Sequence, residues 1–318
     1  MERGSRIYVA GHRGLVGSAI LRRLRGGGYT NIVTRNHVEF DLTDQTVVRA
    51  FFERERPEYV FLAAARVGGI HANNTWPAEF VHQNLAIQTN VIHEAWRVGV
   101  RRLLFLGSSC IYPRDCPQPM KEDHLLTGPL EPTNRPYAVA KIAGIEMCWD
   151  YNRQYGTHYL AAMPTNLYGP GDNYDLEASH VIPALIRKMH EAKMHDTAVS
   201  VWGTGMPRRE FLYSDDAADA CVFLMELSEE QCGALASDRH TPPLVNIGCG
   251  RDMTIRELTE VVKEVVDFKG DVVFDPTRPD GTPRKLLDVS RLHGLGWTAR
   301  TDLRTGLHAT YHAYLKTA

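Results

Sequence analysis

Tyr137 and Lys141 stand four residues apart in "YAVAK", a spacing that puts both side chains on one face of a helix. A phenol is a poor acid–base group at neutral pH, and a neighbouring ammonium favours its ionised form and brings it into range. Upstream, "GSSCIYP" (107–113) follows the apolar run "RRLLFL", so Ser108 lies where a strand ends. From there its hydroxyl is placed to bond a substrate oxygen beside Tyr137. The same stretch carries Cys110, a thiol for which plain hydride transfer has no use.

A second cluster has the chemistry of a dinucleotide site. "GHRGLVG" sets Gly11, Gly14 and Gly17, with Leu15 and Val16 between them, where a strand meets a helix. The glycines permit a tight turn and close backbone approach, and the helix N-terminus then faces a pyrophosphate. An NAD site wants an acidic residue at the end of the second strand for the ribose 2′-hydroxyl. Here that strand ends "TRNH", with Arg35 and His37 and no acid, and Arg13 adds a cation from the glycine loop. Two guanidiniums suit a 2′-phosphate, so the expected cofactor is NADP(H). Asp41 and Leu42 are placed to meet adenine. Ala63, Ala64 and Ala65 let the cofactor pass close to the third strand, and Lys141 can hold the nicotinamide ribose.

These residues need a scaffold, and the first half of the chain supplies one. Apolar runs at 6–11, 31–35, 59–65 and 102–109 alternate with amphipathic runs at 15–28, 43–56, 77–99 and 137–156. Strand–helix alternation of this kind predicts parallel strands joined by right-handed crossovers, a Rossmann-type doubly wound α/β sheet. Residues 159–170 read as a strand running into a loop. Beyond them Pro and Gly punctuate the chain and the alternation becomes irregular, which predicts a smaller C-terminal α/β lobe for substrate. The expected division is 1–169 plus 211–235 for the NADP-binding domain and 170–210 plus 236–318 for the substrate lobe.

Composition narrows the partners. With 318 residues, 43% hydrophobic and 23% charged, the chain can bury a full core as one large domain or two lobes. A formal net charge of −2 gives no electrostatic case for nucleic acid or an anionic membrane. No apolar stretch approaches a membrane span, and the first strand begins too early for a signal peptide. The six cysteines contain no CxxC pair and the 14 histidines no HExxH, so reduced cytoplasmic thiols and no metal are expected.

Taken together, the glycine loop, the Ser–Tyr–Lys set and "PTNLYGP" resemble the extended short-chain dehydrogenase/reductases, which act mostly on nucleotide sugars. The stretches "AGHRGLVGSAI", "GSSCIYP", "MPTNLYGPGDN", "SHVIPALIRKMH", "WGTGMPRREFLYSDD" and "PDGTPRKLLDVSRLHGLGW" are similar to the GDP-L-fucose synthase family of 3,5-epimerase/4-reductases. That resemblance implies Cys110 as base and His180 as acid in two epimerisations. Ser108 and Tyr137 would polarise the C4 carbonyl, ahead of reduction with NADPH. It further implies Pro164, Thr165, Asn166, Leu167 and His180 at the cofactor. Asn166, Lys188, Trp202, Arg209 and Asp280 would hold the GDP-sugar, and a homodimer would form through helices 77–99 and 137–156.

The chemistry is sound on its own terms. Protons flanking a ketone are acidified because the carbanion becomes an enolate, which a thiolate and an imidazolium can generate and quench from opposite faces. Thiolate character requires a nearby cation and a polar cleft. The alternative reading is a nucleotide-sugar 4-epimerase with tightly held NAD. A dehydratase of the superfamily would carry an acid two positions before Tyr112, where this chain has Cys110. A non-enzymatic NADP sensor would be expected to have lost Ser108, Tyr137 or Lys141.

Overall fold

The computed structural model describes residues 1–176, 179–278 and 280–317. Its first half runs β1 (Ile7–Ala10), α1 (Leu15–Gly26), β2 (Ile32–Val33), α2 (Gln45–Glu55), β3 (Tyr59–Leu62), α3 (Ile70–Thr75), α4 (Pro77–Arg97), β4 (Arg102–Leu106), α5 (Arg135–Tyr155) and β5 (His158–Pro164). Next come β6 (Asn166–Tyr168), α6 (Val181–His195), β7 (Val199–Trp202), β8 (Arg208–Tyr213), α7 (Ser214–Glu226), α8 (Glu229–Ala236) and β9 (Leu244–Ile247). The chain ends with β10 (Asp252–Thr254), α9 (Ile255–Val266), β11 (Val272–Asp275), β12 (Arg284–Lys285), α10 (Ser290–Gly294) and α11 (Leu303–Tyr314).

The main sheet is parallel throughout, in the order β2-β1-β3-β4-β5-β9. Every residue of β1, β3 and β4 is buried, which is why these strands read as apolar runs, broken only by Arg102 at the start of β4, paired with Glu229. Alternate side chains serve opposite faces. Tyr8, Val60, Leu103 and Phe105 pack with Phe52 of α2 and Ile92 of α4. Ile7, Val9, Phe61 and Leu104 pack with Ile20 and Leu24 of α1 and Val222 of α7. The strand order reverses between β1 and β3, so the crevice beyond their carboxyl ends is the natural ligand site of this topology.

The chain leaves this sheet at Thr165. The stretch expected as one strand at 159–170 is two: β5 stays in the main sheet, while β6 pairs with β8. In the second lobe β8 also pairs with β10 and β12, and β7 pairs with β11. Its core is Ile186 and Met189 of α6, Leu258 and Val262 of α9, and Leu307 of α11. Here the structure differs from the expected division. Residues 244–247, assigned above to the substrate lobe, form the sixth strand of the main sheet, and Leu292 and Trp297 join that sheet's core. "LVNI" is short and finds its partner only through the fold. Among the described residues no helix is long and apolar enough to cross a membrane.

Asn246 on β9 ties the two parts together. Fully buried, it accepts from the Tyr112 hydroxyl at 2.6 Å and donates to the carbonyls of Met120 and Asp288 at 3.0 Å each. Its backbone N–H donates to the Glu122 carboxyl at 2.9 Å. Asn246→Ala would leave the Tyr112 hydroxyl and the Asp288 carbonyl without their partner, each costing about 1–3 kcal/mol, while the Met120 carbonyl keeps the Asp288 N–H at 2.8 Å. A loss of about 2 kcal/mol or more in urea unfolding is therefore expected. A loss below about 1 kcal/mol would mean that water replaces the amide.

Candidate active site

The glycine loop forms a close-packed cradle. Gly11 has φ +81°, and a side chain there would meet the backbone of Ala64 at 2.7 Å. A side chain on Gly17 would meet the Gly11 carbonyl oxygen at 2.1 Å, so both positions need a bare backbone. Gly14 begins α1 with no side-chain cap and no acid in the first turn, leaving the helix N-terminus open to an anion. Arg13, Leu15 and Val16 line this turn. Ala63, Ala64 and Ala65 follow β3 directly across the switch point, where Ala63 N–H donates to the Ala10 carbonyl at 3.1 Å.

Arg35 follows β2 and is already oriented. One guanidinium nitrogen donates to the Glu55 carboxylate at 2.7 Å and another to the Thr34 carbonyl at 2.8 Å. Glu55 is shared with Arg6 and Arg54, so Arg35 can meet a further anion without being its carboxylate's sole partner. Asp41 spends its carboxylate on its own turn. It accepts from the Thr43 N–H and hydroxyl at 2.9 Å each, which holds its pKa low. Leu42 is buried and its carbonyl accepts from Asn90 at 3.0 Å.

At the carboxyl end of β4 four side chains converge. Ser108 is extended (φ −158°), and its hydroxyl lies near the side chains of both Cys110 and Tyr137, where it favours their ionised forms. Tyr137 enters from the first turn of α5, which Pro136 opens. Lys141 lies one turn on, its ammonium 2.7 Å from the Leu106 carbonyl, 4.6 Å over the Phe105 ring and 5.7 Å from that of Tyr137. Cys110 is buried in the short turn after Ser108.

Burial overturns two electrostatic expectations. Tyr137 was expected to be lowered by Lys141; instead burial raises its phenol well above the ordinary value, aided by Cys110 and opposed by Ser108. Cys110 is also pushed up by burial, against the nearby Ser108 hydroxyl and the charges of Lys285 and Lys141. Lys141 itself is lowered by burial to about 8. The cluster therefore rests as phenol and thiol. A neutral phenol is the form that can give a proton away.

The second lobe carries the remaining candidates. His180 is the N-cap residue of α6 and makes no side-chain cap bond. The residue is exposed overall, and desolvation by the protein packed around its imidazole lowers its pKa. Pro164 ends β5, Thr165 and Asn166 both donate to the Glu210 carbonyl (3.2 and 2.8 Å), and Leu167 lies on β6. Trp202 is 58% exposed, with the Lys188 ammonium 5.8 Å and the Arg278 guanidinium 5.2 Å from its ring. Lys188 donates to the Ser200 carbonyl at 3.0 Å. Arg209, lowered by burial, feels the opposing charge of Asp280. Asp280 accepts from the Thr204 N–H and hydroxyl at 2.7 and 2.8 Å. Sequence reading missed Lys285, Glu131 and Arg278, which face these groups. The run "PRK" was the available signal for Lys285.

A model of the NAD dependent epimerase/dehydratase family matches residues 7–237. The chain belongs to that family. Within the family it is similar to GDP-L-fucose synthase 1 of Arabidopsis thaliana, at 58% identity over 317 residues, 99% of this chain and 94% of the relative. GDP-L-fucose synthase of Escherichia coli (strain K12) is 54% identical over 315 residues, 98% of this chain and 97% of the relative. A solved structure of a GDP-mannoheptose C4 reductase from Campylobacter jejuni with NADP bound has a TM-score of 0.89 at 38% identity, covering 99% of both chains. The family's sheet and its glycine cradle are thus the frame on which Cys110 is mounted.

Proposed function

We propose that this chain is an NADP-dependent GDP-L-fucose synthase, epimerising GDP-4-keto-6-deoxy-D-mannose at C3 and C5 and then reducing it at C4. The observation that carries the reading is the buried Cys110 thiol, grouped with Ser108, Tyr137 and Lys141 at the end of β4: a base built into a reductase site. The 54% identity to a relative of that name supports the same conclusion. A 4-epimerase needs no such thiol.

The residues present fit the cofactor: a backbone-only cradle at Gly11 and Gly17, the uncapped start of α1, and Arg35 with Arg13 for a 2′-phosphate. When bound, NADPH supplies the hydride for C4. The protein's own side chains do the rest. Ser108 and Tyr137 donate hydrogen bonds to the C4 oxygen and stabilise the enolate as each flanking proton leaves. Cys110 removes protons from one face and His180 returns them on the other. Tyr137 finally protonates the C4 oxygen, with Lys141 behind it. Trp202, Arg209 and Lys188, with Asn166 and Asp280, hold the GDP and sugar, the two cations meeting the diphosphate.

Incubating the purified protein with GDP-4-keto-6-deoxymannose and NADPH should consume nicotinamide absorbance and yield the L-fuco sugar. A D-sugar product would overturn the epimerase half, and tightly retained NAD would restore the 4-epimerase. Arg35→Ala should weaken NADPH binding about tenfold or more and leave NADH nearly unchanged, measured by fluorescence titration. Glu55 keeps Arg6 and Arg54 in that variant, so the local fold survives. Equal effects on the two cofactors would remove Arg35 from the 2′ pocket.

A homodimer and a cytoplasmic setting belong to the same reading. Pro77, Ala78 and Val81 of α4 lie beside Pro136 and Val139 of α5 in an apolar surface hollow, and Val139 is 42% exposed. The six cysteines are free thiols, as a reducing compartment would keep them.

A further inference from the structure

A buried thiol pushed up by its surroundings needs help to serve as a base, and the fold brings that help from the other lobe. Lys285 shares with Cys110 the wall of one small cavity, together with Glu131, Arg114 and Arg284. It lies on β12, in register with Arg209 on β8. The chain just beyond it is fastened on two sides. Leu286 N–H donates to the Gln118 side-chain oxygen at 2.8 Å, and its carbonyl accepts from Met120 N–H at 2.8 Å. Leu287 N–H donates to the buried Glu210 carboxylate at 3.0 Å. The lysine is therefore presented by a rigid strand.

Its surroundings leave it available. Lys141, the other ammonium near Cys110, is committed to the Leu106 carbonyl. Among the described residues the Lys285 ammonium has no hydrogen-bonded partner; the charges that face it are Cys110, Arg209 and Glu131. The groups that act on Cys110 are Ser108 from its own turn, Tyr137 and Lys141 from α5, and Lys285 from β12, and Arg114, Glu131 and Arg284 share its cavity. We propose that Lys285 is a positioning residue for the Cys110 base: its ammonium, balanced by Glu131, stabilises and orients the thiolate in the cavity between the lobes. The inference rests on Cys110 being the base. It gives the epimerase chemistry a dependence on the substrate lobe, because acid–base group and supporting cation come from different sheets.

The test follows the pH dependence of Cys110 alkylation by iodoacetamide in the full chain, read on the Cys110 peptide by mass spectrometry. Lys285→Met should raise the midpoint by about one pH unit, a loss of about tenfold in rate below it, less what the more basic thiolate regains in nucleophilicity. Lys285→Arg, which keeps the charge, should restore the midpoint. Glu131→Gln, which leaves the lysine unbalanced, should lower it. An unshifted midpoint in Lys285→Met overturns the proposal. Weakened GDP binding alongside that unshifted midpoint would assign the lysine to the diphosphate instead. If Cys110→Ser retains full proton exchange at C3 and C5 while the alkylation shifts appear, the base assignment fails and the lysine–thiol coupling stands.

Discussion

Replacing Cys110 by serine is expected to slow solvent deuterium entry at C3 and C5 of the keto sugar by about 10³-fold or more. The substitution is nearly isosteric and keeps a hydrogen-bonding group beside Ser108, so the shape of the site survives. What changes is acidity. A thiol ionises near neutrality when a cation supports it, whereas a serine hydroxyl needs a separate base to act at all. Among the described residues no carboxylate is a main influence on Cys110, Tyr137 or Lys141, and Glu131, in the wall of the same cavity, acts on Lys285. The keto sugar should remain bound and unexchanged, because the residues proposed to hold it, on β6, α6, β7, β8 and the 280 loop, are untouched. Mass and NMR spectra of sugar incubated in deuterium oxide measure the effect. Undiminished exchange would remove Cys110 from the mechanism.

The contrast between what the sequence shows and what it hides has a physical origin. Parallel strands buried on both faces must be largely apolar, so β1, β3 and β4 announce themselves, and the helices between them carry their own periodicity. Ser108 and Cys110 follow the end of β4 and Tyr137 lies in the first turn of α5, with Lys141 one turn on, so spacing alone places them on one edge. β9 and β12 are short strands whose partners are distant in sequence, and no local pattern marks which sheet they join. The protonation states are equally illegible. The Lys141 ammonium lies 5.7 Å from the Tyr137 ring, but burial is a tertiary quantity and sets the direction in which each group's pKa moves. Lys285 was passed over because an isolated lysine is ordinarily solvated. Only the β8–β12 pairing carries it to the thiol.

Tyr137→Phe is expected to cut C4 reduction by about 10³-fold, within the 10²–10⁴ range for losing a general acid. Hydride arrival at C4 leaves an alkoxide, which must take a proton as it forms. In the proposed mechanism Tyr137 is the donor, lying near Ser108 and kept protonated by burial well above neutral pH. Phenylalanine keeps the ring, its edge contact with Phe80 and the packing of α5, and removes only the hydroxyl. Exchange at C3 and C5 should persist, about 10–100-fold slower, because Cys110 remains and Ser108 still donates one hydrogen bond to the enolate oxygen. The two activities thus separate, which a general collapse of the site would not produce. The pH profile adds a second check. Lys141 is depressed to about 8, so its ammonium is present below that value and lost as pH rises through it. Wild-type reduction should hold level toward neutral pH and fall above about 8, as the charge behind the phenol disappears. In Tyr137→Phe the residual rate should lose that descent, since no phenol remains for the ammonium to resupply. Reduction near the wild-type rate, or an unchanged descent in the variant, would sink Tyr137 as the proton donor.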